Sequence, residues 1–380
     1  MKLKQVVPVS ITVALLCGAA QAAPSYSVTD LGTLGGAWSA ATGLNNSGQV
    51  VGQSGIYDTA HAFLYSNGSM TDLGMLGGVV STTIGSTGRG INDSGQVVGV
   101  SQRSGTSGFH AFLYSGGSMV DIGTLGGGTS TAAAINNSGQ IVGESDTASY
   151  GISHAFLYGG GVMTDLGTLG SGADSYATGI NDSGQVVGVS NTTSYPGNPH
   201  AFLYSDGVMA DLGTLGGSNS EARGINNSGQ VVGTSSVYDA TYAMWTSHAF
   251  LYSGGSMIDL FKLVGGNRSE AFGINNNGQV VGYFSDPGLG NPPHAFLYSE
   301  GSTIDLNSLI DPMSGWTVKF AYDINDSGQI AGYGTNASGE TRALLLTAAV
   351  PVPEPETYAM MMAGLGLLGF VARRKNQKLA

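Results

Sequence analysis

Six histidines occupy one position of a repeated phrase, and each is followed eleven residues later by an aspartate. The pairs begin with His61 and Asp72, continue through His110 and Asp121, His154 and Asp165, His200 and Asp211, and His248 and Asp259, and end with His294 and Asp305. Imidazole and carboxylate together could move a proton or ligate a metal. Their repetition argues against both uses. A nucleophile or acid–base set is needed in one place, and zinc needs three or four ligands that converge within a few ångströms. The expected role of each histidine is a strand-start residue bonded to backbone. The expected role of each aspartate, Asp30 included, is to accept N–H groups of a turn. No catalytic residue and no metal ligand set is assigned from these repeats, and no cofactor is implied. Calcium is the one cation the acidic set Asp72, Asp121, Asp165 and Asp211 would suit, with neighbouring Asn turns and backbone carbonyls as further oxygens. No EF-hand or nonapeptide calcium motif accompanies them.

Singular chemistry is expected where the units differ. Tyr57, Phe109, Tyr150, Tyr195, Tyr238, Tyr242 and Trp245 lie in stretches of variable length. Tyr and Trp rings offer a flat apolar face with a polar handle, suited to stacking on a sugar ring. The longest variable stretch runs from Gly233 to His248, so Tyr238, Tyr242 and Trp245 are the ligand-binding candidates. No nucleophile elbow, zinc-protease motif or phosphate loop is present.

The elements that must position these residues follow from a second phrase, Asn-x-x-Gly-Gln. It starts at Asn45, Asn92, Asn136, Asn181, Asn226, Asn275 and Asn325, a period of 44 to 50 residues. Such a period fits propeller blades or the larger helical repeats. Gly, Asn and Ser recur too often for helices, and the short apolar runs are rich in Val, Ile, Phe and Tyr, which suit strands. Each unit predicts four strands, in the first unit over Ala41–Asn45, Gln49–Ser54, His61–Ser66 and Ser69–Gly74. Asn46-Ser47-Gly48 forms one turn and Asn67-Gly68 a two-residue hairpin. The third strand is apolar on both faces, so sheets must pack in front and behind. The seventh unit lacks a fourth strand, and Tyr26–Gly32 supplies the missing YSVTDLG at the other end. The fold expected is all-β, a seven-bladed β-propeller with four-stranded antiparallel blades, its N-terminal strand closing the last blade.

Glycine accounts for 63 of 380 residues, only 10% are charged, and the formal net charge is −12. An acidic surface of this kind excludes nucleic acid as a partner. The single cysteine, Cys17, falls in a leader with Lys2 and Lys4, an apolar core and Ala20-Gln21-Ala22, which predicts a secretory signal over 1–22 cut by signal peptidase. The propeller domain is expected over 23–349. A Pro-rich linker and sorting motif follows at 350–356, then a hydrophobic membrane segment at 357–372 read as a transmembrane helix, and a basic tail at 373–380.

The tail resembles a PEP-CTERM sorting signal: Pro353, Glu354 and Pro355, a Gly-rich apolar segment, then Arg373, Arg374 and Lys375. The resemblance implies export by a Gram-negative bacterium, transient inner-membrane anchoring, processing by an exosortase-like enzyme, and association with exopolysaccharide or biofilm matrix at the cell surface. The middle, Tyr26 to Thr347, resembles the HAF-repeat family of probable extracellular proteins, named for residues such as His61-Ala62-Phe63. The seventh unit departs with Arg342-Ala343-Leu344. Together these predict a surface or matrix scaffold that binds extracellular polysaccharide and is not an enzyme. The alternative is a propeller-type polysaccharide lyase or glycoside hydrolase with a site in the variable loops. A unique cluster of His, Arg, Tyr or carboxylates at the pore would favour that alternative.

Overall fold

The first repeat dictates a meander of four short strands, and the computed structural model shows it. Here β1 is Tyr26–Asp30, β2 Ser39–Leu44, β3 Val50–Ile56, β4 Thr59–Ser66 and β5 Ser69–Asp72. Strands β2 to β5 form one antiparallel sheet in chain order, and the later units repeat it. The structure describes residues 25–349 apart from 57–58, 77–84, 104–107, 171–173, 193–197, 240–243, 262–267 and 287–290. The leader (1–22), the linker and sorting motif (350–356), the hydrophobic segment (357–372) and the basic tail (373–380) lie outside the described residues.

Seven four-stranded sheets are present, so the protein is a seven-bladed β-propeller. Six blades are continuous in sequence. The seventh combines Thr317–Ile324, Ile330–Thr335 and Thr341–Ala348 with β1. Register runs from Tyr26 opposite Ala348 to Asp30 opposite Leu344, and Leu31 N–H continues it to the Ala343 carbonyl at 3.0 Å. This pairing gives the last blade its fourth strand and ties the start of the chain to its end.

Burial explains the repeated letters. Phe63, Phe112, Phe156, Phe202, Phe250 and Phe296 are all fully buried between blades. In the first seam, Val51, Ala62 and Leu73 of one blade meet Ile91, Val97 and Phe112 of the next. Withdrawing each such ring from water contributes about 1.5–3 kcal/mol. The glycine of Val-Val-Gly is needed at the same seam. A Cβ on Gly52 would sit against the Ala40 carbonyl and 2.9 Å from the Phe63 ring. Leu344 takes the place of the Phe in the last blade and is equally buried.

The Asn phrase does more than turn the chain. Asn45 Oδ1 accepts the N–H groups of Ser47 and Gln49, at 3.1 and 2.9 Å. Its Nδ2 donates to the Asn92 carbonyl of the next blade at 3.0 Å. The same bond passes from blade to blade until Asn325 donates to the Asn45 carbonyl at 3.0 Å. A second ring surrounds it, each following residue giving its N–H to the next blade's Asn or Asp Oδ1, from Asn46 to Asp93 and finally from Asp326 back to Asn46. Both rings close, and they fix one mouth of the axial channel.

Candidate functional site at the wide mouth of the channel

Chain direction decides which residues share an end of the ring. The β2-type strands run towards the Asn turns, and the β3-type strands run away from them. The start of each first strand, the end of each second strand and the connection to the third therefore lie together at the opposite mouth. Inside each first strand, Ala-x-Gly-Ile-Asn or a close variant is constant and the x varies. Its occupants from blade 1 to blade 7 are Thr42, Arg89, Ala133, Thr178, Arg223, Phe272 and Tyr322, and all seven line one cavity of about 240 Å³. That is slightly below the usual range for small-molecule sites, about 300–1,000 Å³, and leaves room for a single small ring or a chain end.

Two further varying positions face each other across every blade at this level. They pair as Ala40 with Gln53, Thr87 with Val100, Thr131 with Glu144, Tyr176 with Val189, Glu221 with Thr234, Glu270 with Tyr283, and Phe320 with Tyr333. The sevenfold backbone thus carries an asymmetric set of side chains. Blades 6 and 7 hold an aromatic wall: Phe272 lies 4.8 Å from Tyr322, Tyr283 lies 4.6 Å from Phe320, and Phe320 lies 5.0 Å from Tyr333, centroid to centroid. Blades 5 and 6 hold a charged network. Arg223 Nη1 is 3.1 Å from Glu221 and its Nη2 is 4.0 Å from Glu270. Arg268 donates to Glu270 at 2.7 Å, and Tyr283 Oη donates to the same oxygen at 3.2 Å.

Burial sets the protonation of these groups. It raises the Glu221 carboxyl above the usual range against the pull of Arg223, with Glu270 adding to the rise. Glu144 is raised in the same way, against Arg89. Burial pushes Tyr283 up to about 12, and Tyr176, Tyr322 and Tyr333 are also raised. The tyrosines are therefore hydrogen-bond donors at neutral pH, and the glutamic acids are the groups able to hold and release a proton. Asp323 stands where blades 1, 2, 4, 5 and 6 have glycine. It is partly buried in the channel wall, is raised to about 6 by desolvation, and accepts the N–H groups of Leu44 and Ile324 at 2.8 and 2.9 Å.

The repeated histidines behave differently from expectation. Each Nδ1 lies 2.8–3.0 Å from its aspartate carboxylate instead of bonding backbone. The aspartates do accept a turn N–H, as Asp72 does from Gly74 at 2.8 Å. The third strand places His beside the fourth-strand Asp because Phe63 pairs with Asp72 in register. Asp72, Asp121, Asp165 and Asp211 are thus bound to imidazoles. Among the described residues no group of three or more His, Cys, Asp or Glu could hold a metal ion.

Tyr238 and Trp245 lie on the side of this mouth, away from the channel. The stretch read as a loop continues the hairpin, Val231–Asp239 pairing with Met244–Ser253, because its β-forming residues keep alternating. Tyr238 is 51% and Trp245 61% exposed, and their rings meet edge to face at 5.4 Å. Tyr242 lies outside the described residues, as do Tyr57 and Tyr195. Tyr150 is exposed, and Phe109 is half-buried. The sorting residues Pro353, Glu354, Pro355, Arg373, Arg374 and Lys375 also lie outside them. Among the described residues the singular cluster thus sits on strands of the channel wall, and much of the variable loops lies outside them. The cluster's signal in the sequence was variation inside an otherwise constant strand.

The fold and mouth define a closed propeller with one non-repeated channel entrance. Residues 351–375 match the PEP-CTERM protein-sorting motif. No curated protein matches the chain in sequence. Among solved structures, the β-propeller domain of the Trilobed protease from Pyrococcus furiosus is similar at TM-score 0.53 and 8% identity, over 84% of this chain and 97% of that one. That domain is described as having an open velcro topology, whereas β1 closes this ring. A puromycin-hydrolyzing peptidase of Mycobacterium tuberculosis matches at TM-score 0.47 and 10% identity, over 80% of this chain and 52% of that one. A glycoside hydrolase matches at TM-score 0.28 and 7% identity, over 68% and 86%.

Two expectations are corrected. Repetition argues against an enzyme, yet a similar β-propeller is a domain of a protease, and the side chains lining this channel are not repeated. That exclusion is withdrawn. The transmembrane helix is also withdrawn: among the described residues no helix is long and apolar enough to cross a membrane, and 357–372 lies outside them.

Proposed function

We propose that the chain is an exported envelope or matrix protein whose channel mouth opposite the Asn turns binds and hydrolyses a saccharide. The carrying observation is the asymmetric set of carboxyls, guanidinium groups and stacked rings at one mouth of an otherwise repetitive ring. Glycoside hydrolysis needs a carboxylic acid to protonate the leaving oxygen and a second carboxylate to activate water or attack the sugar. Glu221, raised by burial, suits the acid, and Glu270, bridged to it by Arg223, suits the second group. Phe272, Phe320 and Tyr322 suit stacking on the sugar ring. The raised tyrosines weigh against a lyase, whose proton-abstracting base must be free to accept. The sorting motif supports export, exosortase-type processing and a place at a Gram-negative cell surface. The repeated His-Ala-Phe phrase supports membership of the HAF-repeat family, with a signal over 1–22 and a mature domain beginning near residue 23.

Release of reducing sugar from extracellular polysaccharide tests this reading. Glu221→Gln and Glu270→Gln should each lower release by about 10²–10⁴-fold while the fold is kept. Release unchanged in both variants, or no release from any polysaccharide offered, overturns it. A second reading, a matrix-binding scaffold, is favoured by one observation. The exposed Tyr238–Trp245 pair on its extended hairpin presents a stacking surface apart from the channel.

A further inference from the structure

Basic residues are scarce, 13 in 380, yet three of them, Arg89, Arg223 and Arg268, gather at this mouth. Arg89 and Arg223 occupy the same channel-lining position on blades 2 and 5, three blades apart, as far across a sevenfold ring as two blades can be. Neither placement is inherited from the repeat, since the corresponding residues elsewhere are Thr, Ala, Phe and Tyr. Among the described residues no salt bridge or hydrogen bond holds the Arg89 guanidinium. Its side chain is exposed to the channel; crowding by the surrounding wall lowers its pKa, Glu144 supports its charge, and Arg223 opposes it. Arg223 is anchored by Glu221 and Glu270 through its Nη atoms, but its buried Nε has no acceptor. Two like charges lining one narrow cavity repel. An anionic group between them relieves that repulsion. Neutral hydroxyls nearby are already committed: Thr42 donates to the Gly88 carbonyl at 2.7 Å, and Thr178 to the Ala222 carbonyl at 2.9 Å.

We propose that the mouth selects an acidic sugar residue, seating its carboxylate or sulfate ester between Arg89 and Arg223. The inference rests on the saccharide reading above and narrows its substrate class. Guanidinium forks favour planar, bidentate carboxylate over a point anion, so a uronate is the better-matched ligand and a sulfated sugar the second source of the same charge. The aromatic wall of blades 6 and 7 would then carry the ring face while the arginines hold its acidic substituent.

Calorimetric titration of the full chain with trigalacturonate, a sulfated galactan trisaccharide and neutral maltotriose tests the proposal. Arg89→Thr is the informative variant, because blades 1 and 4 already carry Thr there and the fold tolerates it. The expected result is preference for an acidic trisaccharide, weakening with added salt, and at least tenfold loss in Arg89→Thr. Stronger binding of trigalacturonate identifies the carboxylate, and stronger binding of the galactan the sulfate. Equal binding of acidic and neutral trisaccharides, or undiminished acidic binding in Arg89→Thr, overturns the selectivity while leaving the saccharide reading standing. No binding of any of the three, with no sugar released from polysaccharide, overturns both.

Discussion

Asp323 shows most plainly how single residues depart from the repeat. Glycine at this position lets neighbouring first strands touch: a Cβ on Gly273 would come 2.9 Å from the Asp323 Cα. A desolvated, partly buried carboxylate there costs stability unless it is protonated. Its folded value of about 6 is above the ordinary 3.8, so the folded chain holds the proton more tightly. The associated stability is complete below about pH 3.8 and is lost as pH rises through about 6, a change on the order of 3 kcal/mol. Asp323→Gly should remove that dependence. Denaturant melts at pH 4 and pH 7 should show wild type losing most of this amount relative to the variant, and parallel losses would contradict the assignment. Glu221 gives a second prediction. If it is the acid, hydrolysis should fall as pH rises through its raised pKa, and Glu221→Gln should abolish that alkaline limb along with the rate. An alkaline limb that persists at the same pH in the residual activity would exclude Glu221.

Between strands, the His–Asp pairs join the third strand of each blade to the fourth, while the aspartate also caps the turn leaving the blade. Their worth should follow burial. The His248–Asp259 pair is 9% and 11% exposed, and His200–Asp211 is 22% and 42%. Asp259→Ala should destabilise by about 1–3 kcal/mol, because it strands a buried imidazole. Asp211→Ala should cost less, about 1 kcal/mol or under, because water screens and replaces the partner. Equal costs in thermal or denaturant melts would mean that the turn bond, shared by both, dominates. Strand positions, hairpin turns and the closing role of β1 were legible from periodicity, since alternating apolar residues and Gly-containing turns act locally. The His–Asp contact was harder to read, because it depends on register across a hairpin. The mouth was not legible, because variation in length marks loops and leaves substitutions at constant-length strand positions unmarked. The informative variation, Arg89, Arg223, Phe272 and Tyr322, lay at one constant-length position within a strand. Only the closed ring shows that these seven positions share a cavity.

Across the whole molecule, the two mouths of the channel divide the work. At the Asn mouth, two complete hydrogen-bond rings join every blade, including the bond from Asn325 to Asn45 across 280 residues. Asp182 illustrates its order: burial would raise this carboxyl, yet bonds from the Asn137 N–H and the Asn227 and Asn137 amides hold it below the usual range. Closure makes the first and last blades interdependent. Removing residues 25–32 should lower Tm and open hydrogen exchange first in Thr341–Ala348, the strand that loses its partner. Uniform loss of protection would mean the ring melts as one unit. The other mouth keeps the same backbone but spends its side chains on asymmetry, and the central claim is that ligand binds there rather than on the repeated or outer surface. The direct measurement is the affinity of the full chain for an oligosaccharide of its native matrix in two variants, Tyr322→Thr and Trp245→Ala. Tyr322→Thr installs the residue of blades 1 and 4 and should weaken binding about tenfold by removing a ring from the wall, whereas Trp245→Ala should leave it within about twofold. Loss in Trp245→Ala with Tyr322→Thr unaffected would place the ligand on the outer hairpin and contradict the account.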